Sequence, residues 1–559
     1  MTRLITFKTS FTIALFTLFF NIPFSNNTSA QDIVWKRNFS SATHRYTSII
    51  AVSDGVIAVG GGDTFNLGDW AGEERIGGGA IVVKYDFDGN IIWKKRFGGE
   101  GSDSFNSVTK VNDGFVAVGG ATQKTFNTGD WTGITGKGGD DAIIVKFDEA
   151  GNVLWKKNFG GAHPDSFLCV TAVSDGVVAA GWSREGSFGN GNWEGITGKG
   201  DYDAIIVKYD HNGNLMWKRN FGGKGNDWFK SVATLPDGII AVGDSEDRSF
   251  GNGDWAGVNE KGTGGDAILV KYDHSGNMVW KKNFGGNGGD VFNSVITVLD
   301  GIVVVGTSSN TSLGNGDWEG FTAKGWFAAT IVKFGIDGNV VWKNNLGGSN
   351  VAGSFSIDIY YSVTEVSDGM VTVGASTFES FDNGDWVGIS GKGKFDAIIV
   401  KYDNAGNVVW KKNFGGIEQD HYNSVTAISN GVVAVGYSYC ESFGNGDWEG
   451  VACKGFSSDA IIVKYSGAGI GIDEPAQGLA DIRVFPNPTS GQLRITNYEL
   501  RITNIEVFDV FGRKIEGVKE RRSEGVKEVV LDIFGFSAGI YFVKITTEKG
   551  EVIKKVVKQ

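Results

Sequence analysis

Apolar and polar positions alternate along this chain in short runs, and nearly every run stops at a glycine-bearing turn. Residues 106–159 show the pattern once. Runs at 106–111 and 114–119 are joined through Asn112-Asp113-Gly114, and runs at 142–148 and 152–159 through Glu149-Ala150-Gly151. β-branched and aromatic runs punctuated in this way are hairpin chemistry, because glycine supplies the positive φ that a tight turn requires. The unit therefore reads as two hairpins forming a four-stranded meander.

The unit repeats. The Trp-Lys of its last run returns at Trp35, Trp93, Trp155, Trp217, Trp280, Trp342 and Trp410, in steps of 58, 62, 62, 63, 62 and 68 residues. A fixed period of this size marks an array of supersecondary units. The array starts in mid-unit with a lone Trp strand at 33–39 and ends after 460–465 without one. An open stack would leave both fragments as unpaired edges; a ring lets them complete one sheet. The expected fold is all-β: a seven-bladed β-propeller over residues 31–466, its last blade closed by the N-terminal strand. A meander places the two short turns of every unit on one face and the two long connections on the other. Long loops without structure of their own point to function or mutual packing, so binding is expected on the long-loop face.

The repeat resembles the bacterial β-propeller repeat family with the pattern D-A-x-x-x-K-x-D-x-x-G-N-x-x-W. In one copy the match is carried by Asp203, Ala204, Lys208, Asp210, Gly213, Asn214 and Trp217, followed by Gly222, Gly223, Asp227, Asp237, Gly238 and Gly243. The resemblance implies architecture and is nearly silent on activity.

The ends read differently. Residues 1–30 carry Arg3 and Lys8, an apolar run at 11–20 and a small-residue close at Thr28-Ser29-Ala30, the layout of a secretory leader cleaved before Gln31. No later run reaches the ~18 apolar residues of a membrane span, so none is expected in the mature chain. Residues 467–479 break the period as a linker, and 480–559 form a second β module expected as a small β-sandwich. This module resembles the C-terminal sorting domain of type IX secretion cargo in Bacteroidetes. The resemblance rests on Pro486-Asn487-Pro488, Thr489-Ser490-Gly491, Asp509, Gly512-Arg513, Ala538-Gly539-Ile540-Tyr541 and the Lys-rich final strand. It implies the type IX machinery as partner, an outer-surface or extracellular destination, and Pro486, Asn487, Pro488, Gly539 and Tyr541 as sorting-motif residues.

Composition narrows the function. A net charge of −12, with no basic cluster beyond Arg521-Arg522, excludes the electrostatic footprint of a nucleic-acid binder. The 86 glycines against 6 prolines fit turn-rich β structure rather than a disordered linker. Of three cysteines, Cys169 stands where other copies have Ser107 and Ser231 and reads as a small buried residue. Cys440 and Cys453 flank one long loop and can bridge it or remain free.

Candidate chemistry is sparse. The D-x-x-G-N turns, such as Asp86 to Asn90, lack the later bidentate acid of a calcium loop and read as hairpin turns. The Lys-Gly pairs at Lys137, Lys199, Lys261, Lys324, Lys392 and Lys454 lack the Walker spacing and read as turns with a solvated lysine. The tryptophans of the long loops, Trp70, Trp131, Trp193, Trp255, Trp318, Trp386 and Trp448, mostly follow Gly-Asp. They can form a sugar-stacking ring, the candidate binding residues, or instead pin each loop to a neighbouring blade. The five histidines share no context and no metal-ligand or hydrolase motif is present, so no catalytic residue, metal or cofactor is expected. Specific function is expected where copies differ on the rim: Glu73-Glu74-Arg75, His163-Pro164, Trp228, Trp326-Phe327 and the insertion near Tyr360-Tyr361. The reading is a secreted or surface propeller, not an enzyme, binding glycan or protein by its long-loop face. The alternatives are an extracellular polysaccharide-acting enzyme and a passive envelope component.

Overall fold

Each repeat folds as the meander its turns specify. The computed structural model describes residues 32–40, 43–63, 65, 68–72, 78–349 and 355–467, and in the tail 483–485, 489, 491–496, 502–509, 515, 519–522, 528–537, 539–547 and 550–558. The leader at 1–30, nearly all of the linker, Glu73-Glu74-Arg75 and the motif residues Pro486, Asn487 and Pro488 lie outside the described residues.

Seven four-stranded antiparallel sheets form the ring. We number them blade 1 (44–97), blade 2 (103–159), blade 3 (165–221), blade 4 (227–284), blade 5 (290–346), blade 6 (358–414) and blade 7 (420–466 with 33–39). The strand Ile33–Phe39 pairs antiparallel with Ser458–Ser466, Ile33 opposite Tyr465 and Phe39 opposite Ala460. Ser466 N–H donates to the Asp32 carbonyl at 2.9 Å, and Asp32 N–H to Ser466 Oγ at 3.0 Å. The orphan strand is thus the outer strand of blade 7, as the ends of the array require.

The core is divided among the junctions. In blade 3, Ala204 and Ile206 pack toward blade 4 while Ile205 and Val207 pack toward blade 2. Both faces of the sheet are buried, so the strand reads as a continuous apolar run rather than an alternating one.

The short-turn face carries its own links between blades. Trp155 donates its indole N–H to the His211 carbonyl of blade 3 at 3.0 Å, and Trp217 to the His274 carbonyl of blade 4 at 3.2 Å. Gly213 sits beneath Trp155 at φ +77°, where a Cβ would lie 2.8 Å from the indole, so both geometry and space demand glycine. In the same turn Asp210 accepts from the N–H groups of Asn212 and Asn214 at 2.9 and 2.8 Å and from the Asn214 amide at 2.9 Å. The carboxylate is consumed by its own turn, the hairpin reading of D-x-x-G-N.

Cys169 is buried and donates to the Ala180 carbonyl. Cys440 and Cys453 form a disulfide with 5.2 Å between Cα atoms across the long loop of blade 7. In the tail, one sheet holds 483–485, 492–496, 528–532 and 519–522, and the other 502–509, 539–547 and 550–558. Leu493, Ile495 and Leu531 of the first meet Val507, Val543 and Ile545 of the second in one buried core, a β-sandwich. Among the described residues no helix is long and apolar enough to cross a membrane.

Candidate functional site: the long-loop face

The loop tryptophans are structural. Trp131, Trp193, Trp255, Trp318, Trp386 and Trp448 are 0% exposed and Trp70 2%. Stacking on a sugar needs an open indole face, so the binding role offered for these seven is corrected, and the alternative reading holds: they pin the loops. Blade 4 shows how. Asp227, at the start of the inner strand, accepts Trp255 Nε1 at 3.2 Å and Ser245 Oγ on one oxygen, and the Gly223 N–H at 2.9 Å and Ser249 Oγ at 2.7 Å on the other. Trp255 then presses edge-on against Phe221, the last residue of blade 3, with centroids 5.0 Å apart. The same carboxylate–indole bond recurs at Asp103, Asp165, Asp290, Asp358 and Asp420, at 2.8–3.3 Å.

The residue before the tryptophan clasps the previous blade. Asp254 accepts the Gly222 N–H at 3.0 Å and pairs with Lys199 at 2.5 Å. Equivalent pairs join Lys261 to Asp317, Lys324 to Asp385, Lys392 to Asp447 and, across the ring closure, Lys454 to Asp69, at 2.8–3.4 Å for the first two and 2.5–3.1 Å for the last two. The solvated-lysine reading is therefore corrected for these five. Lys199, Lys324 and Lys392 are half-buried while Lys261 and Lys454 stay exposed, and all five bridge blades, a contact between repeats that no motif within one repeat displays. At Lys137 the partner position holds Asn192 instead of an acid.

Burial pushes the inner carboxyls up, against the hydrogen bonds that favour their charge: Asp103, Asp165, Asp227 and Asp358 to about 6. Asp396 on the third strand of blade 6 reaches about 7 for the same reason. An acid with a higher pKa folded than unfolded holds its proton more tightly in the ring. Its contribution favours folding most below the unfolded value near 4 and is lost as pH rises through the folded value. We expect the thermal midpoint to rise by several degrees between about pH 8 and about pH 5. A midpoint falling over that window would show that the acids hold the ring as anions.

Function is then sought where the copies differ. The residue after the inner aspartate is Ser104, Ser166, Trp228, Val291, Ile359 or His421, and Arg45 follows His44 in blade 1. Its cross-strand partner is Gly120, Trp182, Asp244, Thr307, Ala375 or Tyr437, and Gly61 in blade 1. These positions lie at the long-loop ends of the inner strands, and they gather three aromatic groups. Trp182, Tyr202 and Trp228 form a chain at 5.3 and 6.4 Å, and Lys230 pairs with Asp244 beside it at 3.1 Å. His421 stacks on Tyr437 at 4.8 Å and on Phe395 at 5.2 Å, with Arg45 over Tyr437 at 4.3 Å. Burial, helped by Arg45, lowers the His421 imidazole to about 4, which makes it a neutral aromatic group at physiological pH. Trp326 meets Phe355 edge-on at 4.4 Å.

Grooves open beside these groups. One of about 690 Å³ is lined by His163, Arg184, Glu185, Asp201, Tyr202 and Asn226. Another of about 970 Å³ includes Asn287, Thr307, Ser309, Asn310, Trp326 and Phe327. His163, Trp228, Trp326 and Phe327 were legible as rim differences. Trp182, Tyr202, Phe395 and Tyr437 were not, although each breaks the repeat at a strand end. Tyr360, in contrast, is buried with its hydroxyl 2.8 Å from that of Tyr402 and serves the core.

In the tail, Gly539 opens the strand Gly539–Thr547, and the Tyr541 hydroxyl donates to the Ser537 carbonyl at 2.9 Å. Residues 483–559 match the family model described as the secretion system C-terminal sorting domain. The chain carries a secretion sorting tail. With this sorting domain the propeller is a protein of the cell surface or extracellular space.

The chain is similar to an uncharacterized protein of Aquifex aeolicus, 28% identical over 32% of this chain and 40% of the relative. It is also similar to the regulatory protein FlaEY of Caulobacter vibrioides, 24% identical over 40% of this chain and 24% of that protein. The chain thus spans less than half the length of either. Among solved structures, the WD40 propeller domain of Doa1 is similar at a TM-score of 0.39 and 11% identity, covering 79% of this chain and 99% of that one. A putative 6-phosphogluconolactonase of Bacteroides uniformis is similar at a TM-score of 0.34 and 10% identity, covering 67% and 88%.

Proposed function

We propose that this sorted propeller is a non-catalytic binding ring that takes extracellular glycan on its long-loop face. In this reading the leader at 1–30 and the tail carry the chain through the inner membrane and the type IX machinery in turn. The observation that carries it is the placement of the aromatic departures from the repeat, which gather at the long-loop ends of the strands beside open grooves. Aromatic faces cover the apolar C–H patches of sugars while neighbouring polar groups take hydroxyls. The acids that could suggest hydrolysis, Asp103, Asp165, Asp227, Asp290, Asp358 and Asp420, spend their oxygens on the latch instead.

A protein ligand is the second reading. It is favoured by the mixed-charge groove lined by His163, Arg184, Glu185 and Asp201, the last of which pairs with Arg248 of blade 4 at 3.1 Å.

Screening the full secreted chain on a glycan array, beside a pull-down from surface extract, separates the two. We expect glycan retention that weakens about tenfold in Trp228→Ala. A blank array with a working positive control would remove the glycan reading.

A further inference from the structure

Two grooves occupy the same place in blades 3 and 5 and differ in chemistry. Strand registers fix the correspondence: Arg184 pairs with Tyr202 in blade 3, and Ser309 with Phe327 in blade 5. Glu185 and Asp201 therefore correspond to Asn310 and Trp326. His163 corresponds to Gly288, each with its N–H on the serine 24 residues later, Ser187 or Ser312. Four ionisable side chains of one groove become a glycine, a serine, an asparagine and a tryptophan in the other.

Among the described residues, none that lines the blade 5 groove carries a charged side chain. Its volume of about 970 Å³ is that of a ligand cleft, for which ~300–1,000 Å³ is usual. Trp326 is 43% exposed, yet its backbone is fixed on both sides. Its N–H donates to the Ser356 carbonyl at 2.8 Å, and its carbonyl accepts the Asn310 N–H at 2.8 Å. The backbone is thus fixed, and the ring is packed edge-on against Phe355 at 4.4 Å with part of its surface left open, so little order remains to be imposed on binding. The same groove is lined by Ser309 and Thr311, whose hydroxyls lie 3.1 Å apart, and by Asn310 and Asn315.

We propose that this groove is a binding subsite for an uncharged oligosaccharide, with Trp326 as the stacking surface. It rests on the reading of the long-loop face as glycan-binding. A pyranose presents an apolar face to the indole and a rim of hydroxyls to the neutral donors and acceptors. A uronate or sulfated sugar would bring its charge to a groove with no cation to receive it, at a desolvation cost left unmet. Discrimination against charged glycans follows from what the lining lacks as much as from what it offers.

The test is affinity electrophoresis of the full secreted chain through gels containing a neutral β-glucan, a galactomannan or a polyuronate. Retardation is expected in a neutral gel and not in the polyuronate. Trp326→Ala should weaken neutral retention about tenfold with an unchanged thermal midpoint, and Trp326→Phe should keep part of it. Ser309→Arg supplies the missing cation and should add retention in the polyuronate. Glycan binding that survives Trp326→Ala but is lost in Trp228→Ala overturns the subsite and leaves the broader reading standing. A wild-type chain retarded only by the polyuronate overturns the neutral assignment alone, and one retarded by no polysaccharide overturns both.

Discussion

Deleting residues 32–39 from the full chain should abolish cooperative folding of the ring, and regrafting them after Ser466 should restore it. The deletion removes the outer strand of blade 7 and with it Phe39, which is 0% exposed, and Trp35, which is 8% exposed. Truncating one large buried aromatic costs about 3–5 kcal/mol, and a whole domain is stable by only about 5–15 kcal/mol. The loss extends beyond apolar contact. Asn38 donates to Asp459 Oδ2 at 2.7 Å and to the Ala452 carbonyl at 2.9 Å, and Lys454 reaches the Asn38 carbonyl at 2.8 Å. That lysine also pairs with Asp69 of blade 1. The strand therefore holds the lysine that joins the last blade to the first, next to the Cys440–Cys453 bridge.

The regraft decides whether closure itself matters. Ser466 and Asp32 are hydrogen-bonded neighbours, so the turn Asp210-His211-Asn212-Gly213-Asn214 can join them as it joins the same strands in blade 3. Circular dichroism melts of the three proteins provide the comparison. A deletion variant that melts with the wild-type midpoint would show that the ring does not depend on this strand.

Most of the architecture was legible because the information is local. Asp-Gly and Asp-x-x-Gly-Asn set each hairpin, and the period with its mismatched ends sets the ring. The latch was half legible. Both the Lys-Gly and the Gly-Asp-Trp segments stood out, but Lys199 and Asp254 meet only because adjacent blades turn about an axis, which brings residues 55 apart to one junction. Reading each motif alone left the lysine solvated and the tryptophan undecided between stacking on a sugar and pinning its loop, which burial decides for pinning. The aromatic rim was legible where it involved a rare residue, as at Trp228 and Trp326. It was hidden at Trp182 and Tyr437, which fall within strands whose apolar character already accounted for them.

The carboxylate–indole bond, present in blades 2–7, can be dissected through blade 1, where it is missing among the described residues. Trp255→Ala should destabilise the ring by about 3–5 kcal/mol, since the buried indole fills the junction between blades 3 and 4. Trp255→Phe is the sharper variant: it keeps much of the packing and removes one donor from the buried Asp227, a loss of about 1–3 kcal/mol. In blade 1 the inner aspartate is replaced by His44, whose imidazole burial lowers to about 4 and which stacks against Trp70 at 6.5 Å. Gly62 opposite makes the room, for a Cβ there would lie 2.4 Å from the imidazole. Trp70 Nε1 is buried with no hydrogen-bond partner among the described residues. Trp70→Phe therefore removes no bond and relieves an unpaired donor. Its cost should fall below that of Trp255→Phe by at least about 1 kcal/mol in denaturant melts. Equal costs would mean that the indoles act by bulk alone and that the carboxylate–indole bond contributes nothing. The double change His44→Asp with Gly62→Ser rebuilds the latch of blade 4 in blade 1, and it should raise the midpoint if the bond is what joins the blades.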